Sequence, residues 1–311
     1  IVWLSETSMV EELIQASKVT AFFLDDNQSV RSGEIGRSDD IVRAAKALGV
    51  RVFPFELDQQ FRCAGSESYI RWVEGVLGQR SRLDLEWKSD HTYQVRIWDD
   101  MQLMADFLRV EHESGRRARL TAGYCWRWSK PKYPGHLPAD LTDPRFGDWS
   151  GAWIEKTGKD LKPLDHQYYR WATRPDAFEQ VGSIYSVQGF EFDHVGVIWG
   201  EDLVWRGDRW VADLSKNKDG TFKKEIKTSG ASAAEKLLNV YRVLLTRGMV
   251  STHLFILDDE TRAYVAACLA GEVKQGQQVV NAPAEPQPVQ LTLIKPDHPT
   301  QAKVVDRPAK G

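Results

Sequence analysis

Residues 185–199 read YSVQGFEFDHVGVIW and join a polar segment to an apolar run. The second half, residues 194–199, has the β-branched and aromatic composition of a buried strand. Before it stand Gln188, Gly189, Glu191 and Asp193, and strand interiors avoid glycine and aspartate. The segment therefore predicts either a tight turn into a strand or a ligand site at one edge of a sheet.

The composition is that of a globular protein with a substantial core. The chain has 311 residues, of which 42% are apolar and 11% aromatic, enough for two domains or one large domain with a tail. A net charge of −3 neither requires nor excludes a nucleic-acid partner. Three widely separated cysteines without zinc-ligand spacing predict a reducing, cytoplasmic location and no metal site. No apolar run reaches the roughly 20 residues that span a bilayer, so no membrane partner is expected.

Short apolar runs alternate with helical patterns along the chain. This alternation predicts an α/β fold with a mainly parallel sheet flanked by helices. Ligands bind at the carboxyl ends of parallel strands, so we expect the polar clusters to lie at that edge. The predicted strands cover residues 18–24, 50–55, 119–125, 181–186, 194–199 and 252–257, and the predicted helices cover residues 38–49, 67–77, 99–112, 231–246 and 258–270.

Three stretches depart from this pattern. Residues 129–174 are rich in proline, glycine, tryptophan and charge and are too long for an ordinary loop, so they predict an insertion. Residues 201–230 are polar and lysine-rich and predict a protruding hairpin or mobile loop. Residues 271–311 contain six prolines and predict a disordered tail.

Four polar clusters contain residue types suited to nucleotide chemistry. They are DDNQ (25–28), LDQQFRC (57–63), SVQGFEFD (186–193) and YRVLLTRG (241–248). A strand-end glutamine can sense a terminal phosphate, arginine binds phosphate through a bidentate fork, and glycine lets the backbone approach a ligand closely. Each cluster also has a structural explanation: an Asx-rich turn, an arginine paired with a carboxylate, a tight turn, or an arginine that compensates the dipole of a helix for which Gly248 is the predicted C-cap.

Taken in order, D-x-x-Q, x-F-R, Q-G-x-E and T-R-G resemble motifs III, IV, V and VI of superfamily 1 helicases. The chain most resembles the Schlafen group 3-like DNA/RNA helicase domain, over roughly residues 10–260. The segments that carry this resemblance are FFLDDNQSV, LDQQFRC, AGYCWRWSKP, SVQGFEFDHVGVIWG and NVYRVLLTRG. The resemblance implies a P-loop NTPase-like (RecA-like) fold. Residues 1–61 would end the first lobe and residues 62–270 would form the second helicase lobe, with insertions near 129–174 and 201–230.

The resemblance also implies roles for single residues. Gln28 would sense the γ-phosphate, although Leu24 stands where many relatives have glycine, and two arginines would act as arginine fingers. Trp126 and Trp128 would offer stacking faces to bases of single-stranded DNA or RNA, with core packing as the alternative. The implied residues are Gln28, Arg62 and Arg247 for catalysis, Asp25, Gly189 and Glu191 for nucleotide binding, and Gln188 and Thr246 for coupling to nucleic acid.

A P-loop, G-x-x-x-x-G-K-[ST], is needed for ATP hydrolysis of this class, and these 311 residues contain none. Gly158-Lys159 is followed by Asp160, and the acidic residue Asp258 is better explained as a helix N-cap. We therefore expect a half-site, in which ATP and Mg²⁺ bind only when an N-terminal lobe with a P-loop is present, and no ATPase activity from this fragment alone.

Two explanations of the half-site remain open. The chain is either the C-terminal part of a helicase or translocase, which its abrupt start at Ile1 favours, or a degenerate homologue that acts as a non-catalytic nucleic-acid- or protein-binding module. A third reading, a nuclease or modification enzyme driven by this domain, ranks lower because residues 80–115 contain no nuclease constellation.

Overall fold

A computed structural model describes residues 8–24, 38–55, 63–79, 93–133, 136–155 and 170–271. The predictions for Asp25, Gln28 and Arg62, and for the tail after Gly271, lie outside these ranges.

The described residues form eight strands and eight α-helices. The strands are β1 (Gln94–Ile97), β2 (Ala118–Ala122), β3 (Ala152–Trp153), β4 (Gln180–Val181), β5 (Phe192–Trp199), β6 (Leu203–Arg206), β7 (Arg209–Ala212) and β8 (Gly248–Ile256). The helices are α1 (Met9–Ala16), α2 (Ser38–Ala47), α3 (Glu67–Val76), α4 (Met101–Glu113), α5 (Ile184–Val187), α6 (Gly220–Ser229), α7 (Ala233–Leu245) and α8 (Asp259–Ala270).

The centre of the fold is a four-stranded parallel sheet in the order β1-β8-β5-β2. Helix α4 covers one face, where Leu108 packs with Leu120, Ile198 and Phe255. Helices α3, α5, α7 and α8 supply the core of the other face, in which Val197 packs with larger residues such as Trp72 and Leu244. The predicted α/β class with a mainly parallel sheet flanked by helices is confirmed, and this arrangement is consistent with a RecA-like fold.

Strands β5 and β8 occupy the middle of the sheet because their residues are apolar almost without interruption. Phe192 to Trp199 are buried at every position except Asp193, and Leu254 to Ile256 are buried in β8. A strand that is covered on both faces needs this continuous apolar pattern. The four-residue β1 was not predicted, because it is an edge strand with alternating exposure.

Two of the predicted strands are wrong within the described residues. Residues 18–24 and 50–55 form no strand, and the side chains of Phe23, Phe53 and Phe55 are exposed. Their apolar composition suits a sheet, but a strand forms only when a neighbour satisfies its backbone groups. The helices beside them, α1 and α2, pack on each other through a small cluster that consists of Val10, Ile14, Ile41 and Ala45.

The other differences are local. Residues 181–186 were predicted as a strand, but pairing ends at Gly182, which forms a parallel bridge with Thr121, and Ser183 is then the N-cap of α5. Within 201–230 the predicted hairpin is present as β6 and β7, and the lysine-rich remainder forms α6, whose N-cap is Asp219. Among the described segments, no helix has both the length and the apolar character that crossing a membrane requires.

Candidate functional site

Two of the predicted motifs meet at one edge of the sheet. The Q-G-x-E segment leads into β5 and the T-R-G segment leads into β8, and these strands are parallel neighbours in which Phe192 pairs with Gly248. The Phe192 backbone N–H donates to the Arg247 carbonyl at 2.9 Å, and the Arg247 Nη1 donates to the Phe190 carbonyl at 3.4 Å. The structure therefore joins these motifs directly.

This edge is formed by the amino ends of the strands. We expected every polar cluster at the carboxyl ends, and for these two motifs that prediction is wrong. Each precedes its strand, because the chain enters β5 from the short helix α5 and enters β8 from α7. Backbone N–H groups at the start of a strand pair with the neighbouring connection, as the bond from Phe192 to Arg247 illustrates.

Arg247 is almost fully buried, with 1% of its surface exposed. Its Nε donates to the Val243 carbonyl at 2.9 Å, one turn back in α7, in addition to the Phe190 bond. The preceding Thr246 caps the helix and its hydroxyl donates to the Arg242 carbonyl at 2.9 Å. The guanidinium thus braces the end of α7 against the Q-G-x-E segment.

Gly248 was predicted to cap α7, but it is the first residue of β8 and Thr246 is the cap. A Cβ at Gly248 would lie 2.4 Å from the Ser251 carbonyl oxygen and 2.5 Å from the Tyr93 hydroxyl. Glycine is needed here because two other groups approach its backbone closely.

Gly189 is exposed at the turn between α5 and β5. Its φ is +84°, a conformation that glycine adopts without strain, and no atom lies within 4 Å of an added Cβ. Gln188 and Glu191 on either side are half-buried. The turn therefore leaves open space beside two polar side chains.

The segment after Arg62 packs in the same region. Cys63 is fully buried in a core cluster that also contains Phe192 and Leu245. It adopts φ +53°, which non-glycine residues rarely do. Cys63, the first described residue after this motif, thus lies in the same core as Phe192 of β5 and Leu245 of α7.

The two candidate stacking tryptophans are engaged in packing. Trp126 is buried, and its indole N–H donates to the Thr142 carbonyl at 3.0 Å. Trp128 is half-buried and donates to the Ile154 carbonyl at 2.9 Å. These contacts favour core packing, the alternative to base stacking for these two side chains. Two half-buried tyrosines, Tyr124 and Tyr185, lie nearby, and the sequence did not predict that they meet because they are 61 positions apart.

At the opposite, carboxyl edge lies a buried polar network around Asp202. Its carboxylate accepts hydrogen bonds from the Tyr241 hydroxyl at 2.7 Å and from the Asn217 amide at 2.8 Å. Burial raises the pKa of Asp202 and that of Tyr241. Because both carboxylate oxygens are satisfied, the network fastens α7 and the segment after β7 to the sheet.

Asp258 is the N-cap of α8, as predicted, and accepts the Thr261 backbone N–H at 2.9 Å. Partial burial raises its pKa, but hydrogen bonds from Arg206 and Thr261 outweigh that effect and lower the pKa to about 2. Among the residues that the structure describes, no group of three or more His, Cys, Asp or Glu side chains is arranged to hold a metal ion.

A second buried chain of hydrogen bonds crosses the sheet beneath α4. The Trp98 indole N–H donates to His253 Nδ1 at 3.0 Å, and His253 Nε2 lies 2.8 Å from the Ser251 hydroxyl. That hydroxyl lies 2.6 Å from His194 Nδ1, and His194 Nε2 is 3.5 Å from a carboxylate oxygen of Glu111. We call these five residues the histidine chain. It ties β1, β8, β5 and α4 together behind the candidate site.

Comparison with known proteins identifies the family to which this chain belongs. The chain is 23% identical over 276 residues to a Saccharomyces cerevisiae protein described as "Uncharacterized protein YPL245W", and the match covers 81% of this chain and 58% of that protein. The chain thus spans a little over half the length of this relative. No solved structure matches it significantly. The profile described as "Schlafen group 3, DNA/RNA helicase domain" matches residues 3–258, and the chain belongs to this family of helicase-like domains.

Proposed function

We propose that this chain supplies the second lobe of a superfamily 1-like, ATP-driven DNA or RNA helicase or translocase. Its family supports a helicase-like function related to nucleic acid. The observation that carries the nucleotide chemistry is the direct bonding of Arg247 to the Q-G-x-E segment. Two motifs that would each touch a nucleotide are thereby held in one rigid unit.

In this proposal Arg247 is an arginine finger. A guanidinium stays charged at any physiological pH and matches the oxygens of a phosphate. Its bond to the Phe190 carbonyl is long, at 3.4 Å, so little energy is lost when that donor turns to a phosphate oxygen. The bond to Val243 would keep the side chain aligned during the exchange.

ATP would supply the transferable phosphoryl group. Gly189 and Glu191 would contact it beside Arg247, while Gln28, Arg62 and Asp25 keep the roles that the motifs imply. Gln188 and Thr246 would couple the pocket to the nucleic acid. Because these 311 residues contain no P-loop, we assign the metal and the P-loop contacts to a further lobe.

The proposed partner lobe has support in the exposed apolar segments. Residues 18–24 and 50–55 have strand-like composition, yet Phe23, Phe53 and Phe55 face solvent. Further strands that carry a P-loop would cover these side chains and complete a sheet. The free thiols of Cys63, Cys125 and Cys268 support a reducing, cytoplasmic location for the assembly.

Arg247→Lys tests the proposal, with ATP turnover measured on the full-length protein in the presence of single-stranded DNA or RNA. Lysine keeps the charge but loses the fork, and loss of an arginine finger costs about 10³-fold or more in turnover. We expect a fall of at least about 10²-fold with a much smaller change in ATP affinity. Arg109→Lys, on the surface of α4, is the matched control and should leave turnover unchanged.

Normal turnover by a folded Arg247→Lys protein would show that Arg247 is not the finger. Thermal unfolding must accompany the assay, because Arg247 is buried and also supports the fold. The isolated 311 residues should not hydrolyse ATP. Turnover by them that depends on Mg²⁺ would contradict the division of the pocket between two lobes.

A second candidate is a non-catalytic nucleic-acid- or protein-binding module. One observation favours it: the Arg247 side chain donates to the backbone carbonyls of Val243 and Phe190, as a purely structural arginine would. This candidate predicts nucleic-acid binding that ATP does not alter, even in the full-length protein. The helicase proposal predicts that ATP changes that affinity.

A further inference from the structure

Two tyrosine rings lie together at the β2 edge of the sheet. Tyr124 follows β2 and Tyr185 belongs to α5, and their ring centroids are 6.5 Å apart in an edge-on arrangement. Both side chains are half-buried. Trp153, which is buried, stacks against Tyr124 at 5.4 Å and holds that ring in place.

The same loop fixes both tyrosines. The Lys218 backbone N–H donates to the Tyr124 carbonyl at 2.7 Å, and the Tyr185 hydroxyl donates to Asp219, the N-cap of α6. Trp128 adds a third half-buried ring 6.3 Å from Tyr124. These contacts order the rings in advance, so a ligand that stacks on them would lose little entropy in doing so.

Two basic residues are linked through their backbones to the residues of this pair. The Arg127 carbonyl accepts the indole N–H of Trp153, which stacks on Tyr124, at 3.1 Å, and the Lys218 backbone N–H donates to the Tyr124 carbonyl. Both side chains are exposed, and neither forms an ion pair within the described part of the chain; the Lys218 ammonium donates only to the Ser215 carbonyl, at 3.1 Å. Elsewhere, surface arginines such as Arg109 and Arg206 are paired with carboxylates. Other exposed lysines that form no ion pair with a described residue are Lys130, Lys224 and Lys227.

Two carboxylates lie near the rings, and both are engaged. Asp219 caps α6 and accepts the Tyr185 hydroxyl, and Asp140 accepts the Ser129 backbone N–H at 2.8 Å. Burial, with a contribution from these two carboxylates, raises the pKa of Tyr124 to about 12. Tyr124 is therefore a neutral ring with a hydroxyl donor at any physiological pH.

We propose that Tyr124 and Tyr185 form a stacking platform for the bases of a single-stranded nucleic acid, whose phosphates contact Arg127 and Lys218. Aromatic rings beside unpaired basic side chains bind single strands in this way, since a duplex keeps its base faces covered. The inference rests on the proposed function and replaces Trp126 as the stacking residue. It also gives a short path to the pocket, because Tyr185 is three residues before Gln188.

The test is the binding of fluorescein-labelled oligo-dT and oligo-U, of about 12 nucleotides, to the 311-residue chain by fluorescence anisotropy. Tyr124→Leu and Tyr185→Leu should each weaken binding about tenfold, whereas the corresponding phenylalanine variants should bind nearly as well as the unmodified chain. Tyr133→Leu removes an exposed ring outside the platform and is the matched control.

The charge contacts are tested by salt dependence. Lys218→Gln should lower the slope of log affinity against log salt by about one, because one phosphate contact is lost. Lys46→Gln, on the surface of α2, should leave the slope unchanged. Ultraviolet cross-linking of a 5-iodouracil oligonucleotide should label peptides that contain Tyr124 or Tyr185.

The outcomes separate this inference from the proposed function. If the chain binds the oligonucleotides but folded leucine variants bind equally well, or if cross-links fall only elsewhere, the platform is refuted and the proposed function stands. If the unmodified chain binds neither oligonucleotide, both fail. Thermal unfolding of each variant confirms that a loss of affinity is not a loss of fold.

Discussion

Gly248 is a residue beside the site whose Cα position other groups approach too closely for a side chain. An alanine Cβ would lie 2.4 Å from the Ser251 carbonyl, and that atom belongs to the backbone of β8 and cannot move aside alone. The sequence indicated that glycine matters at this position but suggested the wrong reason, a helix cap. One of the two atoms that exclude a side chain, the Tyr93 hydroxyl oxygen, comes from a position that only folding brings near.

Gly248→Ala should therefore destabilise the protein by about 1–3 kcal/mol, the usual cost of overpacking a core. The free energy of unfolding is measured by urea denaturation. Gly220→Ala is the matched control, since nothing lies within 4 Å of its added Cβ and its φ is not positive. A Gly248→Ala protein as stable as the original would mean that β8 can shift to make room.

Among the elements, the histidine chain ties β1, β5 and β8 to α4 and makes their packing sensitive to pH. Burial lowers the pKa of His253 to about 3, with further lowering by His194 and Arg96. Burial also lowers the pKa of His194; Glu111 and Asp193 oppose this effect and Arg116 adds to it. Unfolded histidine binds its proton near pH 6.5, so between about pH 6.5 and 3 the unfolded state holds more protons.

Stability should consequently fall as the pH drops below about 6.5, by about 2 kcal/mol between pH 7.5 and 5 from His253 alone. Urea denaturation at these pH values checks this. His253→Gln keeps a polar side chain but cannot titrate, and should flatten the dependence, whereas His136→Gln should not. An unchanged slope in His253→Gln would mean that other groups cause the acid sensitivity.

In the whole molecule, the sheet and the N-terminal part differ in how far their apolar residues are covered. Phe55 is 89% exposed in a segment without strand pairing, and Phe255 is 5% exposed in β8. An exposed phenylalanine contributes nothing to the core. Replacing a buried phenylalanine removes its packing contacts and the free energy gained when its ring is withdrawn from water. Large apolar surfaces of this kind mark places where another chain or lobe packs.

Phe55→Ser should thus leave the stability of the chain nearly unchanged and reduce the fluorescence of the dye ANS, which binds exposed apolar surface. Phe255→Ser should cost about 3 kcal/mol or more, because it leaves a cavity and a buried hydroxyl. Thermal and urea unfolding measure the stability of both variants. Strong destabilisation by Phe55→Ser would show that this side chain is buried in the chain as it stands.

The sequence predicted the parts of the fold that depend on local pattern. Strand β5 and helices α4, α7 and α8 were identified because continuous apolar runs and 3.6-residue periodicity are local properties. Residues 18–24 carried the same apolar signal, yet they form no strand, because pairing depends on a neighbour. The motifs before β5 and β8 could be read from the sequence, but their meeting through Arg247 depends on strand order, which spacing does not encode.

The histidine chain has a further consequence, which concerns where its protons are. An indole N–H can only donate, so His253 Nδ1 must accept from Trp98, and neutral His253 must carry its hydrogen on Nε2. That hydrogen points to the Ser251 oxygen, and this favours donation from the Ser251 hydroxyl to His194 Nδ1, with the His194 hydrogen on Nε2, 3.5 Å from a carboxylate oxygen of Glu111. One tryptophan thus fixes the tautomer of His253 and favours the matching tautomer of His194. The donors then run in a single direction, from Trp98 beside β1, through β8 and β5, to the carboxylate on α4.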